Sequence, residues 1–201
     1  RDTTACALSW MFFVLASNPD VQKKLQAEID KKLPSGTTPS FKSLAASEMP
    51  YLNGVLYEVL RLYPPVPLNS KVAHEDDVLP SGDRVAKGAV CFYLPYAMGR
   101  DPKTYPEPEV VRPERWIPFT PPAPHEFPVF QAGPRICLGM EMAIFEAKLA
   151  AAMLLQRYSF SISPAEREKI HYVNTLTMAI SNSKNQDSHN LWLKPQPRAQ
   201  A

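Results

Sequence analysis

The chain has 201 residues, 45% of them hydrophobic, which is enough for one domain with its own core or for part of a larger domain. Its formal net charge at pH 7 is only +2, and no polybasic run is present, so nothing in the charge pattern predicts a nucleic-acid partner. Three cysteines stand far apart, at positions 6, 91 and 137. This spacing argues against a disulfide scaffold and against a structural zinc site.

The start of the sequence is typical of a helix interior rather than of a chain terminus. The sequence does not begin with Met, and its longest apolar run, residues 5–16, is too short to span a bilayer. We therefore expect residues 1–201 to be the C-terminal portion of one longer domain. The N-terminal portion of that domain, and any membrane anchor, would lie outside this sequence.

Three helices are predicted in the first third of the chain. Residues 1–17 are apolar on nearly all sides, which is typical of a buried central helix. A second helix follows Asn18-Pro19, because apolar side chains recur every four residues at Val21, Leu25, Ile29 and Leu33. The third helix covers about residues 51–62 and ends before Pro64-Pro65.

The remainder of the chain is rich in proline and combines short strands with one long helix. The predicted elements are strands at 72–79 and 85–94, a helical turn at 96–99, a helix at 140–157, strands at 158–162 and 175–180, a polar turn at 182–190, and a hairpin closed by 191–193. The sequence therefore predicts a mainly α-helical fold with small β-sheets, of the α+β class.

The stretch from Phe130 to Gly139 leads into the long predicted helix. Cys137 precedes that helix, whose N-terminal N–H groups and partial positive charge favour a thiolate. Gly133 and Gly139 remove side chains where the backbone turns sharply or lies against a flat group. Arg135 places a cation near the sulfur, suited to a carboxylate at the rim of a cofactor. The alternative is a buried structural cysteine, since free Cys is among the most buried residue types.

The spacing Phe130-x-x-Gly133-x-Arg135-x-Cys137-x-Gly139 resembles the haem-ligand loop of the cytochrome P450 monooxygenases at each defining position. The resemblance implies that Cys137 is the axial thiolate ligand of haem iron and that the other four residues contact the cofactor. It also implies the C-terminal part of the haem-thiolate monooxygenase fold, from the long distal helix through the Cys-ligand loop to the C-terminal hairpin.

Polar residues open the otherwise apolar first helix. Asp2 and Thr3 are ordinary choices for capping a helix N-terminus, which is one reading. The string Arg1-Asp2-Thr3-Thr4 also resembles the acid–alcohol pair on the distal helix of the same family. That resemblance implies catalytic roles for Asp2 and Thr3, which would manage protons for bound dioxygen.

Glu58 and Arg61 stand three residues apart on one predicted helix, so they share a face. An exposed ion pair of little energetic value is one interpretation. Glu58-x-x-Arg61 also resembles the Glu-x-x-Arg motif of the family, and Pro113-Glu114-Arg115-Trp116 resembles its Pro-Glu-Arg-aromatic motif. The resemblance implies a structural network of Glu58, Arg61 and Arg115 that fixes the loop beneath the haem.

Further contacts follow only from the resemblance. Lys71, ten residues after Arg61, stands where the family often places a cation against a haem propionate, although an exposed lysine is the usual alternative. Apolar substrate contacts are implied for the segment after the proline turn and for the C-terminal hairpin, although ordinary sheet packing is an alternative for each. These residues are Val66, Pro67, Leu68, Leu176 and Thr177.

The function that the resemblance implies is a haem-dependent monooxygenase that inserts one atom of dioxygen into an apolar substrate. Residues 1–10 and 62–67 look most like the eukaryotic fatty-acid ω-hydroxylase branch, so the substrate would be a fatty acid or similar lipid. Electrons would come from an NADPH reductase, and the intact parent would associate with the cytosolic face of the endoplasmic reticulum membrane. The alternatives are a haem-thiolate enzyme that rearranges a hydroperoxide and a non-catalytic fragment, because the isolated chain is expected to be inactive.

Overall fold

The computed structural model of the chain describes residues 1–34, 36–182 and 190–198. Within these residues the α-helices are α1 Asp2–Ser17, α2 Pro19–Lys32, α3 Pro50–Leu62, α4 Pro95–Met98, α5 Met140–Arg157 and α6 Pro164–Arg167. The strands are β1 Asn69–Val72, β2 Asp77–Val78, β3 Arg84–Val85, β4 Val90–Tyr93, β5 Tyr158–Ser161, β6 His171–Asn174, β7 Met178–Ser181 and β8 Lys194–Pro197. The predicted α+β class is confirmed.

The long helices lie close to where the sequence predicts them. The last of these, α5, has the predicted bounds, and α3 begins one residue earlier than predicted, at Pro50, because proline suits the first turn of a helix. In α2 the apolar side chains of Leu25 and Ile29 are buried, while Lys23 and Lys24 are exposed. In the part of the chain that the structure describes, no helix has the length and apolar character required to cross a membrane.

The hydrophobic core lies where α1 packs against α3 and α5. Trp10 and Leu15 of α1 are almost fully buried, as are Ala147 and Ala151 of α5, whose small side chains let the helices approach closely. The helix α2 joins this core through Leu25 and Ile29, and it contacts β5 through Gln22, whose amide donates to the Phe160 carbonyl at 2.8 Å and accepts from the Phe160 N–H at 2.7 Å. This side chain therefore fixes β5 to the helices.

The strands form four separate two-stranded antiparallel pairs, and here two predictions are wrong in extent. Of the strand predicted over 72–79, only Val72, at the end of β1, and the two residues of β2 are in strands; of the strand predicted over 85–94, only Val85, at the end of β3, and the residues of β4 are. A contact between the two predicted strands accounts for the break. The Asp76 carboxylate accepts the Lys87 N–H at 2.8 Å, so this backbone donor is not available to a continuous strand ladder.

The C-terminal region differs from its predicted arrangement. Residues 175–177 form a tight turn instead of the first half of a strand, because the Thr175 N–H donates to the Thr177 carbonyl at 3.1 Å. The segment 191–193 is not a strand and closes no hairpin; β8 follows it and pairs with β5. Most of the polar turn predicted at 182–190 lies outside the described residues.

Gly54 sits where α3 crosses the 3-10 helix Pro113–Trp116. A Cβ atom at this position would lie 2.6 Å from the Pro113 carbonyl oxygen, closer than real Cβ contacts allow. We expect Gly54→Ala to lower the free energy of unfolding of the complete protein by about 1–3 kcal/mol, because the crossing must open. Urea denaturation measures this change, and an unaltered midpoint would show that the 3-10 helix shifts without cost.

Candidate functional site

A mainly apolar cleft of about 750 Å³, including space open to solvent, lies between α1, α3, the start of α5 and the segment before it. Four of the predicted site residues line it together: Thr3, Val66, Phe130 and Cys137. The remaining lining residues are Thr4, Ala7, Leu56, Leu60, Pro65, Asn69, Pro128, Val129, Gln131, Ala143, Ile144 and Ala147. The fold thus brings residues from four distant parts of the chain to one apolar surface.

The loop that carries Cys137 closes on itself. The Cys137 N–H donates to the Phe130 carbonyl at 2.8 Å, and the Met140 N–H donates to the Cys137 carbonyl at 3.3 Å. Two positive φ angles, 64° at Gln131 and 67° at Gly133, turn the backbone between these contacts. Cys137 is exposed and stands three residues before α5 begins, so the sequence correctly indicates its place relative to the helix N-terminus.

Gln131 is the less expected of the two residues with positive φ, because a side chain disfavours this backbone region. Its side-chain oxygen accepts a hydrogen bond of 3.0 Å from the Lys71 ammonium group on β1. The contact joins the first sheet to the cysteine loop. It places the Lys71 cation beside the cleft, although Lys71 is not among the lining residues.

The other predicted cofactor contacts are exposed. Arg135 forms no ion pair or hydrogen bond with the described residues, so its guanidinium group is available. Gly133 and Gly139 would meet nothing within 4 Å if a Cβ atom were added. The open space beside both glycines suits a flat group, as their predicted role requires.

Of the predicted proton-handling pair, only Thr3 reaches the cleft. Asp2 is exposed in the first turn of α1 and lies outside the lining residues. Thr4, which the sequence did not single out, also lines the cleft. Thr3 and Ala7 both line the cleft and stand four residues apart, so the same face of α1 is directed toward the cleft.

The predicted substrate contacts are only partly brought together. Val66 lines the cleft, whereas Pro67 and Leu68 do not, and Leu176 and Thr177 lie in the turn between β6 and β7. Leu176 is 91% exposed at that turn. Four further lining residues were not predicted, although they share one face of α3 or of α5 at helical spacing: Leu56, Leu60, Ala143 and Ala147.

The turn between β6 and β7 is held in place by contacts to the Met178 backbone. The Cys6 thiol donates to the Met178 carbonyl at 3.0 Å, and the Trp10 indole N–H donates to the same oxygen at 2.7 Å. The Met178 N–H donates to the Pro65 carbonyl at 2.8 Å. Burial raises the pKa of Cys6 to about 11, although hydrogen bonds with Thr177 and Trp10 act to lower it. Cys6 therefore remains a thiol and can donate.

The charged network around Glu58 is fully buried at its centre, the Glu58–Arg61 pair. The Arg61 guanidinium group donates to both Glu58 carboxylate oxygens, at 2.9 and 2.8 Å, and both side chains are 0% exposed. Three more groups donate to the Glu58 carboxylate: Arg115 Nε at 3.0 Å, the Arg112 N–H at 2.9 Å and the Trp116 indole N–H at 3.0 Å. The structure therefore brings the three predicted members together and excludes the interpretation of an exposed ion pair.

Arg61 also ties this network to the chain that follows α4. Its Nη1 donates to the Gly99 carbonyl at 2.6 Å and to the Pro108 carbonyl at 2.7 Å. Burial alone would raise the pKa of Glu58, but the hydrogen bonds and charges of Arg61, the Arg112 N–H and Arg115 together hold it below its usual value. Glu58 is therefore an ionised acceptor for five donor groups.

Comparison with known proteins gives consistent matches. The cytochrome P450 family model matches residues 1–187. Cytochrome P450 94B3 of Arabidopsis thaliana is 40% identical over 187 residues, which cover 88% of this chain and 36% of that protein. Cytochrome P450 704C1 of Pinus taeda is 36% identical over 212 residues, covering 97% of this chain and 40% of the relative.

A human relative extends the range of organisms. Cytochrome P450 4V2 of Homo sapiens is 35% identical over 196 residues, which cover 96% of this chain and 35% of that protein. The chain therefore spans 35–40% of the length of these three curated relatives. The family match covers nearly all of the sequence, including the cysteine loop, the Glu58 network and the first turn of α1. The chain belongs to the cytochrome P450 family.

Proposed function

We propose that the complete protein is a haem-dependent monooxygenase that inserts one atom of dioxygen into an apolar substrate, a fatty acid or similar lipid. This chain would be the C-terminal portion of its haem domain. The observation that carries the proposal is that Cys137 and Thr3, which are distant in sequence, open into the same apolar cleft. Family membership supports the same reaction class.

The residues of the cleft fit a haem group. Cys137 offers one accessible sulfur ligand, and the open space at Gly133 and Gly139 leaves room for a flat ring. Apolar side chains, among them Val129 and Phe130, line the surface beside the sulfur. When bound, the haem supplies the oxygen-activating redox chemistry, which a cysteine thiolate ligand favours.

The protein side chains would hold the cofactor and exclude water. Cys137 would bind iron as the thiolate, and Lys71 and Arg135 would place cations at the propionate carboxylates. The Thr3 hydroxyl, inside the cleft, would hold or pass a proton. Asp2, exposed at the same end of α1, would exchange protons with solvent.

A labelled-dioxygen experiment tests the reaction class. The complete protein would be supplied with hexadecanoate, an NADPH reductase and ¹⁸O₂, and the product would be analysed by mass spectrometry. We expect one labelled oxygen atom per hydroxylated product. A product that forms from a lipid hydroperoxide and carries no label from dioxygen would instead support the hydroperoxide-rearranging enzyme.

The roles of Thr3 and Thr4 can be separated by matched substitutions, because both residues line the cleft. We expect Thr3→Val to reduce hydroxylated product per NADPH consumed by about 10²-fold, since loss of a positioned proton donor has this typical effect. Thr4→Val should leave the ratio within about threefold of the original value. A larger loss for Thr4→Val than for Thr3→Val would show that Thr4, and not Thr3, handles the proton.

Partner and location follow the proposed reaction. Electrons would reach the complete protein from a separate NADPH reductase, and the protein would associate with the cytosolic face of the endoplasmic reticulum membrane. We also propose that residues 1–201 alone are inactive, because they supply only one wall of the haem site. A stable thiolate-haem carbon-monoxide spectrum from the isolated chain would contradict this.

A further inference from the structure

A second pocket, of about 970 Å³ including space open to solvent, lies between α3, α5, the segment before α3 and the residues near Phe119. Its lining is distinct from that of the Cys137 cleft except for Ile144, which contributes to both. Most of the wall is apolar, but two buried polar side chains, Asn53 and Lys148, are part of it.

Lys148 is a buried cation that lacks a close counter-ion. The residue is 5% exposed, and its ammonium group makes one long hydrogen bond, 3.4 Å, to the Leu44 carbonyl. It forms no salt bridge with the residues that the structure describes. Burial lowers the pKa of Lys148 to about 8, partly opposed by the charge of Glu141. An ammonium group carries three donors, so Lys148 can donate further hydrogen bonds to a ligand in the pocket.

Asn53 adds a second donor to the same pocket. The residue is 1% exposed, and its side-chain Nδ2 has no hydrogen-bond partner in the described part of the chain. Buried side-chain donors without partners are rare, because desolvation without a hydrogen bond is unfavourable. Asn53 and Lys148 therefore both have donor groups that no acceptor among the described residues uses, and both line this pocket.

The walls of the pocket indicate what else such a ligand carries. Phe41, which is 66% exposed, packs against Phe145 with ring centroids 5.5 Å apart, and Tyr57 packs against Phe119 at 4.8 Å. These rings provide an apolar surface for a hydrocarbon or aromatic body. Glu141 also lines the pocket, and its negative charge disfavours a ligand with more than one anionic group.

We propose that this pocket is a second ligand site, which binds a monocarboxylate with a short apolar or aromatic body. The carboxylate accepts hydrogen bonds from Lys148 and Asn53, and the body lies against the aromatic walls. Recognition rests on a buried charge-assisted contact, so a neutral analogue of the same shape binds more weakly.

Equilibrium dialysis of the complete, haem-loaded protein with radiolabelled 4-phenylbutyrate tests the site. Binding in the main cleft is common to all variants, so the difference in bound equivalents isolates this pocket. We expect Lys148→Met, which keeps the length of the stem, to remove one bound equivalent or weaken it by at least about tenfold. The matched control Lys23→Met changes an exposed lysine of α2 and should bind like the original protein.

A second measurement needs no substitution. Unlabelled 4-phenylbutyrate should displace the labelled probe from the Lys148-dependent site, whereas 4-phenylbutyramide should do so at least about tenfold less effectively. The proposal is wrong if Lys148→Met binds as many equivalents as the original protein with the same affinity. It is also wrong if the amide competes equally, because the pocket would then select for shape alone. Neither result depends on whether the protein oxygenates a lipid.

Discussion

Replacing Cys137 by serine in the complete protein is expected to reduce oxygenated product to background and to remove the spectrum of thiolate-ligated haem. The reason is local, because Cys137 supplies the sole sulfur atom among the residues that line the described cleft. A serine hydroxyl has nearly the same shape, but it remains protonated and is a poor donor to iron. Product analysis and the carbon-monoxide difference spectrum measure the two effects.

Cys91→Ser is the matched control. Cys91 is half-buried on β4 and lies outside the cleft, so the same substitution there should leave both the spectrum and product formation unchanged. Retention of the pigment and of oxygenation in Cys137→Ser would refute the proposed function. Loss of both in Cys91→Ser would show that a cysteine-to-serine change can disturb the fold, so the loss in Cys137→Ser would no longer identify the iron ligand.

The long helices could be predicted because the pattern of apolar residues and prolines along each one is local. Apolar residues surround α1, recur every four positions in α2, and stop at a proline pair after α3. The strands were harder to predict, since their ends depend on single long-range contacts. The bond from Lys87 to Asp76 divides two predicted strands, and no local pattern in either segment indicates it.

The candidate site shows the same division between local and long-range information. The relation of Cys137 to α5 is local and was predicted, whereas the contact between Lys71 and Gln131 joins residues 60 positions apart and was not. Thr4 and Leu56 line the cleft for a similar reason, because the orientation of each helix follows from tertiary packing. The resemblance indicated Glu58, Arg61 and Arg115, but Arg112 and Trp116 join them through contacts that only the fold reveals.

Glu58→Gln is expected to lower the free energy of unfolding of the complete protein by about 3–5 kcal/mol at pH 7. The substitution keeps the shape of the side chain but leaves the Arg61 guanidinium group, which is 0% exposed, without its counter-ion. It also replaces one carboxylate oxygen by an amide NH₂ group, which would face the N–H donors that now bind this oxygen. Because domains are stable by only about 5–15 kcal/mol, this is a large fraction of the total. Urea denaturation measures the change.

Glu114→Gln is the matched control, since Glu114 pairs with Lys24 at 2.6 Å on the surface, with both side chains substantially exposed. An exposed pair contributes about 0–1 kcal/mol, so this variant should unfold almost like the original protein. Equal losses in the two variants would contradict the buried network as the source of the effect.

The same carboxyl group gives the stability a defined pH dependence. The pKa of Glu58 is below its usual value in the folded protein, so its contribution is fully present above the ordinary glutamate pKa of about 4.3. That contribution decreases as the pH falls from there toward the folded-state pKa, because the unfolded chain binds the proton first. The difference in stability between the original protein and Glu58→Gln should therefore shrink below about pH 4.3. Urea midpoints between pH 7 and pH 3 measure it, and a constant difference would show that Glu58 is not stabilised as a carboxylate.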